Sequence, residues 1–143
     1  QKSYYRAEMI LRAIDRQIKT EKREDIQVLS RLTVEHILPQ AWLETDYPLP
    51  TDPGKTREQL LAERAGLLHT FGNLTLLTSA LNSAISNGSF KDKRPQITEQ
   101  CALAMNAYFQ KFSEADIWDE AKIRQRGSDL FKVALRIWPY PSR

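Results

Sequence analysis

Two short stretches constrain this chain more than anything else in it: Val34-Glu35-His36-Ile37-Leu38-Pro39-Gln40, and Gly72-Asn73-Leu74-Thr75-Leu76-Leu77-Thr78-Ser79-Ala80-Leu81-Asn82. The first is rich in β-branched residues and reads as a strand over 33–38, closed by Pro39, which has no N–H to give a ladder. The second reads as a turn at 71–73, a strand over 74–77, and a helix capped by Thr78 or Ser79 and running toward Ser86. That order predicts a small β-hairpin with a helix behind it. The expected class is α+β, mostly helical, with a hairpin-plus-helix core over 33–94 wrapped by helices from both ends of the chain.

The flanks fit this picture. Ala7, Ile10, Leu11, Ile14 and Ile18 recur at helical spacing and predict a helix over 3–19. The run Thr20 to Asp25 alternates in charge and reads as a solvated turn, while 26–30 is a short apolar element of open type. Pro48, Pro50, Pro53 and Gly54 make 41–55 irregular. Thr56 is placed to cap a helix that reaches about Ala65 and stops at Gly66. Beyond a break at Asn87-Gly88-Ser89 and Pro95, the residues Ile97, Cys101, Ala104, Tyr108 and Phe112 mark one helix face, with Cys101 read as a buried thiol. Ser113 is placed to cap a last helix, helped by Glu114 and Asp116, with Gly127 able to kink or divide it. Flanking helices are thus expected over 3–19 and 96–138. Trp42, Trp118 and Trp138 are read as core.

At 143 residues the chain is one domain with a real core. It carries a net charge of +3, which permits a polyanionic partner without demanding one. No apolar run reaches the roughly 18 residues that span a bilayer, so a cytoplasmic protein without a membrane partner is expected. One cysteine and two histidines leave no thiolate set for structural zinc, and any metal must rest mainly on oxygen. Gln1 falls inside helix-like sequence, which suggests a piece of a longer protein.

The residue types in the two stretches suit phosphodiester hydrolysis. A neutral imidazole can take a proton from water near physiological pH, and His36 is suited to that role. A hard divalent ion such as Mg²⁺ or Mn²⁺ can neutralise phosphoryl charge while held by one or two protein oxygens plus water. Glu35 and the Asn82 side chain are suited to hold it. Asn73, at the turn, can tie the loop carrying His36 through backbone hydrogen bonds. One tension stands: in a regular strand Glu35 and His36 point to opposite faces.

Glu35-His36-Ile37-Leu38-Pro39-Gln40, then Gly72-Asn73-Leu74-Thr75-Leu76-Leu77 and Asn82, together resemble an HNH (ββα-metal, or His-Me finger) nuclease. The resemblance implies that Glu35 and Asn82 are metal ligands, His36 is the general base and Asn73 is structural. More narrowly, the chain is similar to the C-terminal domain of GmrSD-like modification-dependent (type IV) restriction enzymes. Asn82-Ser83, Ser86-Asn87, Phe90, Lys93-Arg94, Trp118, Ile123-Arg124, Leu130 and Ile137-Trp138-Pro139 extend the match over most of the chain. This likeness implies a DNA endonuclease domain, nicking one strand at a time, in a restriction or antiviral-defence protein. Such relatives carry an N-terminal ParB-like nucleotide-hydrolysing domain, so this chain is expected to be the C-terminal part.

Other residues keep two readings each. His69 either assists a phosphate or stands behind the groups that touch metal and substrate, or is a partly exposed residue flanking the turn. Asn87 is a helix C-cap or reaches the site. Lys91, Lys93 and Arg94 contact DNA phosphates or form a solvated surface, with contact favoured for Lys93. The competing function is a non-catalytic nucleic-acid-binding or interaction module on the same scaffold.

Overall fold

The computed structural model describes residues 4–22, 31–79, 85, 87–99 and 103–142. Its elements run α1 (Tyr5–Lys22), β1 (Leu32–His36), α2 (Arg57–Leu67), a 3₁₀ turn (Phe71–Asn73), β2 (Leu74–Thr78), α3 (Phe90–Glu99), a 3₁₀ helix (Ala104–Lys111) and α4 (Glu120–Ile137). The fold is α+β and mostly helical, around one two-stranded antiparallel sheet. Leu32 faces Thr78 at one end of the ladder, and His36 faces Leu74 at the other.

The sheet lies between two apolar clusters. Leu32, Leu74 and Leu76 join Leu11 and Ile14 of α1 and Leu130 and Val133 of α4. Ile37, Leu38 and Leu77 join Phe90 and Ile97 of α3, Phe109, Trp118 and Ile123. Burial on both sides explains why Leu74 to Leu77 of β2 are buried without alternation, with Thr75 buried among the leucines. Each fully buried Leu, Ile or Phe contributes about 1.5–3 kcal/mol, whereas an exposed ion pair such as Arg57–Glu44 is screened by solvent and contributes little. The apolar stripes therefore decide how the helices dock.

Several elements differ from the sequence expectation. Helix α1 continues through Thr20, Glu21 and Lys22 instead of turning there; Glu21 is gripped by Arg136 of α4 through paired hydrogen bonds, one at 3.0 Å. Strand β1 stops at His36, short of Leu38, because Asn73 captures the next two amides. Helix α2 begins with the expected Thr56 cap, completed by Gln59 into a capping box, but runs through Gly66 to Leu67. Helix α3 starts at Phe90 and carries Pro95 inside it. The buried spacing of Phe90, Lys93 and Ile97 offsets the hydrogen bond that Pro95 cannot make. The expected single face from Ile97 to Phe112 is broken, and its second half is 3₁₀ helix. The last helix is capped by Asp119, not Ser113, and runs unbroken through Gly127. Ser113 and Asp116 close a local turn instead. Trp118 is fully buried, but Trp138 is 51% exposed and is not core. The short element at 26–30, Cys101 and most of the expected 79–86 helix lie outside the described residues.

Candidate functional site

The site is built where β1 ends and the 3₁₀ turn enters β2. Asn73 is fully buried and its amide is fully used. Its Oδ1 accepts from the Leu38 amide at 2.8 Å and from Trp118 Nε1 at 3.0 Å. Its Nδ2 donates to the carbonyls of Leu38 and Leu68, each at 2.9 Å. Its backbone carbonyl accepts from Ile37 at 2.9 Å. One side chain thus ties the loop after His36 to the end of α2 and to the core tryptophan.

His36 is 8% exposed. Its Nε2 lies 3.0 Å from His69 Nδ1, and the Tyr4 ring meets it edge-on with centroids 5.6 Å apart. Burial, reinforced by His69 and by the Lys93 charge, lowers its pKa to about 4. The imidazole is therefore neutral at physiological pH. With the shared proton on His36 Nε2, its Nδ1 is the basic nitrogen. With that proton on His69, the basic lone pair of His36 points at His69.

Glu35 is 4% exposed and turns to α3, where Lys93 Nζ donates to Oε1 at 2.6 Å. The same ammonium donates to the His36 carbonyl at 2.8 Å. Burial raises the Glu35 pKa against the opposing pull of Lys93, and lowers that of Lys93 against the pull of Glu35. The alternation of a strand thus sends the two side chains to different partners, and Lys93 joins them through the backbone of His36.

This corrects one expectation. Lys93 is fully buried, and an ammonium committed to Glu35 inside the fold cannot meet a phosphate at the surface. Lys91 is exposed, and Arg94 is half-buried with an unpartnered Nε. Asn87 is exposed in the turn before α3, and His69 is exposed yet bonded to His36. Asn82 lies outside the described residues.

Three supporting residues escaped the sequence reading. Arg126, fully buried on α4, donates through Nη1 to the carbonyls of Gly72 at 3.1 Å and Leu74 at 2.6 Å. Its guanidinium lies 4.9 Å from the Phe109 ring centroid. Burial lowers its pKa to about 10, so it stays charged and grips the turn carrying Asn73. The Tyr47 hydroxyl lies 3.1 Å from the Ile37 carbonyl and 2.9 Å from that of Gly88. Arg64 pairs in the interior with Glu120 and holds the Tyr47 carbonyl at 2.6 Å. Two of these were legible as charges on apolar stripes, at Leu60/Arg64 and at Ile123/Arg126/Leu130.

The model of one family, the GmrSD restriction endonucleases, C-terminal domain, matches residues 1–133. The chain belongs to this family. Neither any curated protein nor any solved structure matches it. Membership in the GmrSD C-terminal family makes this a restriction-endonuclease-related domain, with DNA as the substrate that the family implies. Among the described residues, no helix of this GmrSD-type domain is long and apolar enough to cross a membrane.

The donors around Glu35 and His36 bear on which metal a GmrSD-type site could take. Among the described residues no three His, Cys, Asp or Glu side chains gather into a cage. The carboxylate beside His36, that of Glu35, is buried against the Lys93 ammonium, and a hard ion such as Mg²⁺, which keeps most of its own water, would have to displace or share that partner.

Proposed function

We propose that the chain is a metal-dependent DNA endonuclease domain of HNH type that nicks one strand at a time. The observation that carries this reading is His36: a buried imidazole, neutral at physiological pH and oriented by a hydrogen bond to His69. In this reading His36 takes the proton of the attacking water. His69 holds the ring, and Lys93 and Asn73 fix the backbone at its carbonyl and just after it. Glu35 and Asn82 would hold a Mg²⁺ or Mn²⁺ ion, which would supply charge neutralisation at the phosphoryl oxygens. A single such site handles one phosphodiester, which makes nicking the elementary event. Within a restriction protein the domain would work beside an N-terminal ParB-like nucleotide-hydrolysing domain, in the cytoplasm.

One observation favours a second reading, a DNA-binding module that does not cut. The Lys93 ammonium already sits on Glu35, and a metal ion there would have to compete with it. A plasmid assay with added Mg²⁺ or Mn²⁺, against an EDTA control, separates the two. Nicked circles that vanish with EDTA support the nuclease. Binding without product at any metal concentration supports the module, and cleavage indifferent to EDTA overturns the metal role.

A further inference from the structure

A cavity of about 420 Å³ lies beside the site, between the start of α1 and β1. Tyr4, Tyr5, Glu8, Arg31, Thr33 and Val34 line it. Tyr4 belongs to both places: it lines the cavity, and its ring meets the His36 ring edge-on. Its hydroxyl accepts from Gln40 Nε2 at 3.0 Å, which sets the ring's orientation. Tyr5 is 69% exposed, leaving an aromatic surface open to a ligand. Arg31 is exposed at the rim. Glu8 brings the opposite charge, but Arg12 engages it at 2.8 Å, so among the described lining residues Arg31 is the charge left without an opposing one. The volume is at the lower end of the roughly 300–1,000 Å³ usual for ligand sites, suited to one nucleotide and too small for a base pair.

Aromatic surface beside a cation, continuous with a candidate base, is the chemistry that holds a nucleic-acid strand. We propose that this cavity binds one nucleotide of the substrate strand flanking the scissile phosphate, its base against Tyr5 and its phosphate at Arg31. The inference rests on the reading of the chain as a DNA-cutting domain, and Tyr4 is the residue through which this subsite adjoins the reacting centre.

The test is binding of a labelled single-stranded oligonucleotide to the whole chain, by fluorescence anisotropy in EDTA, over a range of salt. Tyr5→Ala is expected to weaken binding about ten-fold without changing the salt slope, because a stacking contact releases no counterions. Arg31→Ala is expected to lower that slope by about one, the mark of a lost phosphate contact. Arg57→Ala, on the exposed surface of α2, serves as the control. An unchanged affinity and slope in both variants, losses no larger than the control's, or no binding at all overturns the subsite. If binding depends on Tyr5 and Arg31 but no metal yields product, the nuclease reading fails while the subsite stands.

Discussion

The close approach between Gly72 and Gly127 permits a sharp pair of substitutions. A Cβ at Gly72 would lie 2.0 Å from the Ile123 carbonyl oxygen and 2.9 Å from the Gly127 amide nitrogen. Ordinary contact begins near 3.4 Å, so Gly72→Ala must push α4 off the turn by about 1.4 Å. The obstacle is helix backbone on one side and the Asn73 clamp on the other, neither of which swings away like a side chain. We expect the upper end of the overpacking range, about 3 kcal/mol, and a Tm lower by about 10 °C for a chain of this size. A Cβ at Gly127 would meet Gly72 at 3.7 Å, ordinary contact. Gly127→Ala should therefore be neutral or stabilise the helix by up to about 1 kcal/mol. Thermal and urea unfolding of both variants measures this. Equal stability of Gly72→Ala and wild type, or equal damage from both substitutions, would refute the argument.

Asn73→Asp keeps the shape but turns two donors into acceptors facing the Leu38 and Leu68 carbonyls; urea unfolding should show a loss of about 3 kcal/mol or more, and a loss smaller than about 1 kcal/mol would contradict the clamp. Lys93→Met strands the buried Glu35 carboxylate and should cost about 3–5 kcal/mol, with much of it restored in Lys93→Met/Glu35→Gln; a single variant as stable as wild type would show that the pair does not hold α3. For pH, the unfolded His36 binds its proton near 6.5 and the folded one only near 4. Between those values the unfolded state holds more protons, so the His36 contribution is complete above about pH 6.5 and is lost as pH falls toward 4. After discounting for solvent screening it is about 2 kcal/mol, and His36→Gln should flatten the stability–pH curve by that amount. Identical curves would mean that the folded imidazole titrates normally.

The features legible in the sequence were local. The capping box at Thr56 and Gln59, the turn at Gly72-Asn73 and the β-branched run before Pro39 each carry their signal within a few residues, and the hairpin arises from them. The hidden features depend on partners distant in the chain. The end of β1 at His36 is set by Asn73, and the start of α3 before Pro95 by burial of Phe90 and Lys93. Ser113 has the chemistry of a helix cap, but its turn closes on Asp116, and Asp119 takes the role. Basic residues mislead most. Lys93, Arg64 and Arg126 look like surface charge until their spacing is set against Phe90/Ile97, Leu60 and Ile123/Leu130, which marks them as buried. The bond between His36 and His69 spans 33 residues, and no periodicity announces it.

The most direct test of the account is relaxation of supercoiled plasmid by His36→Ala beside the wild-type chain, in Mg²⁺ or Mn²⁺, with circular dichroism to confirm that both are folded. The account predicts nicked circles from wild type and none from the folded variant. Full nicking by His36→Ala would contradict it, and the proton acceptor would have to be sought elsewhere in the fold.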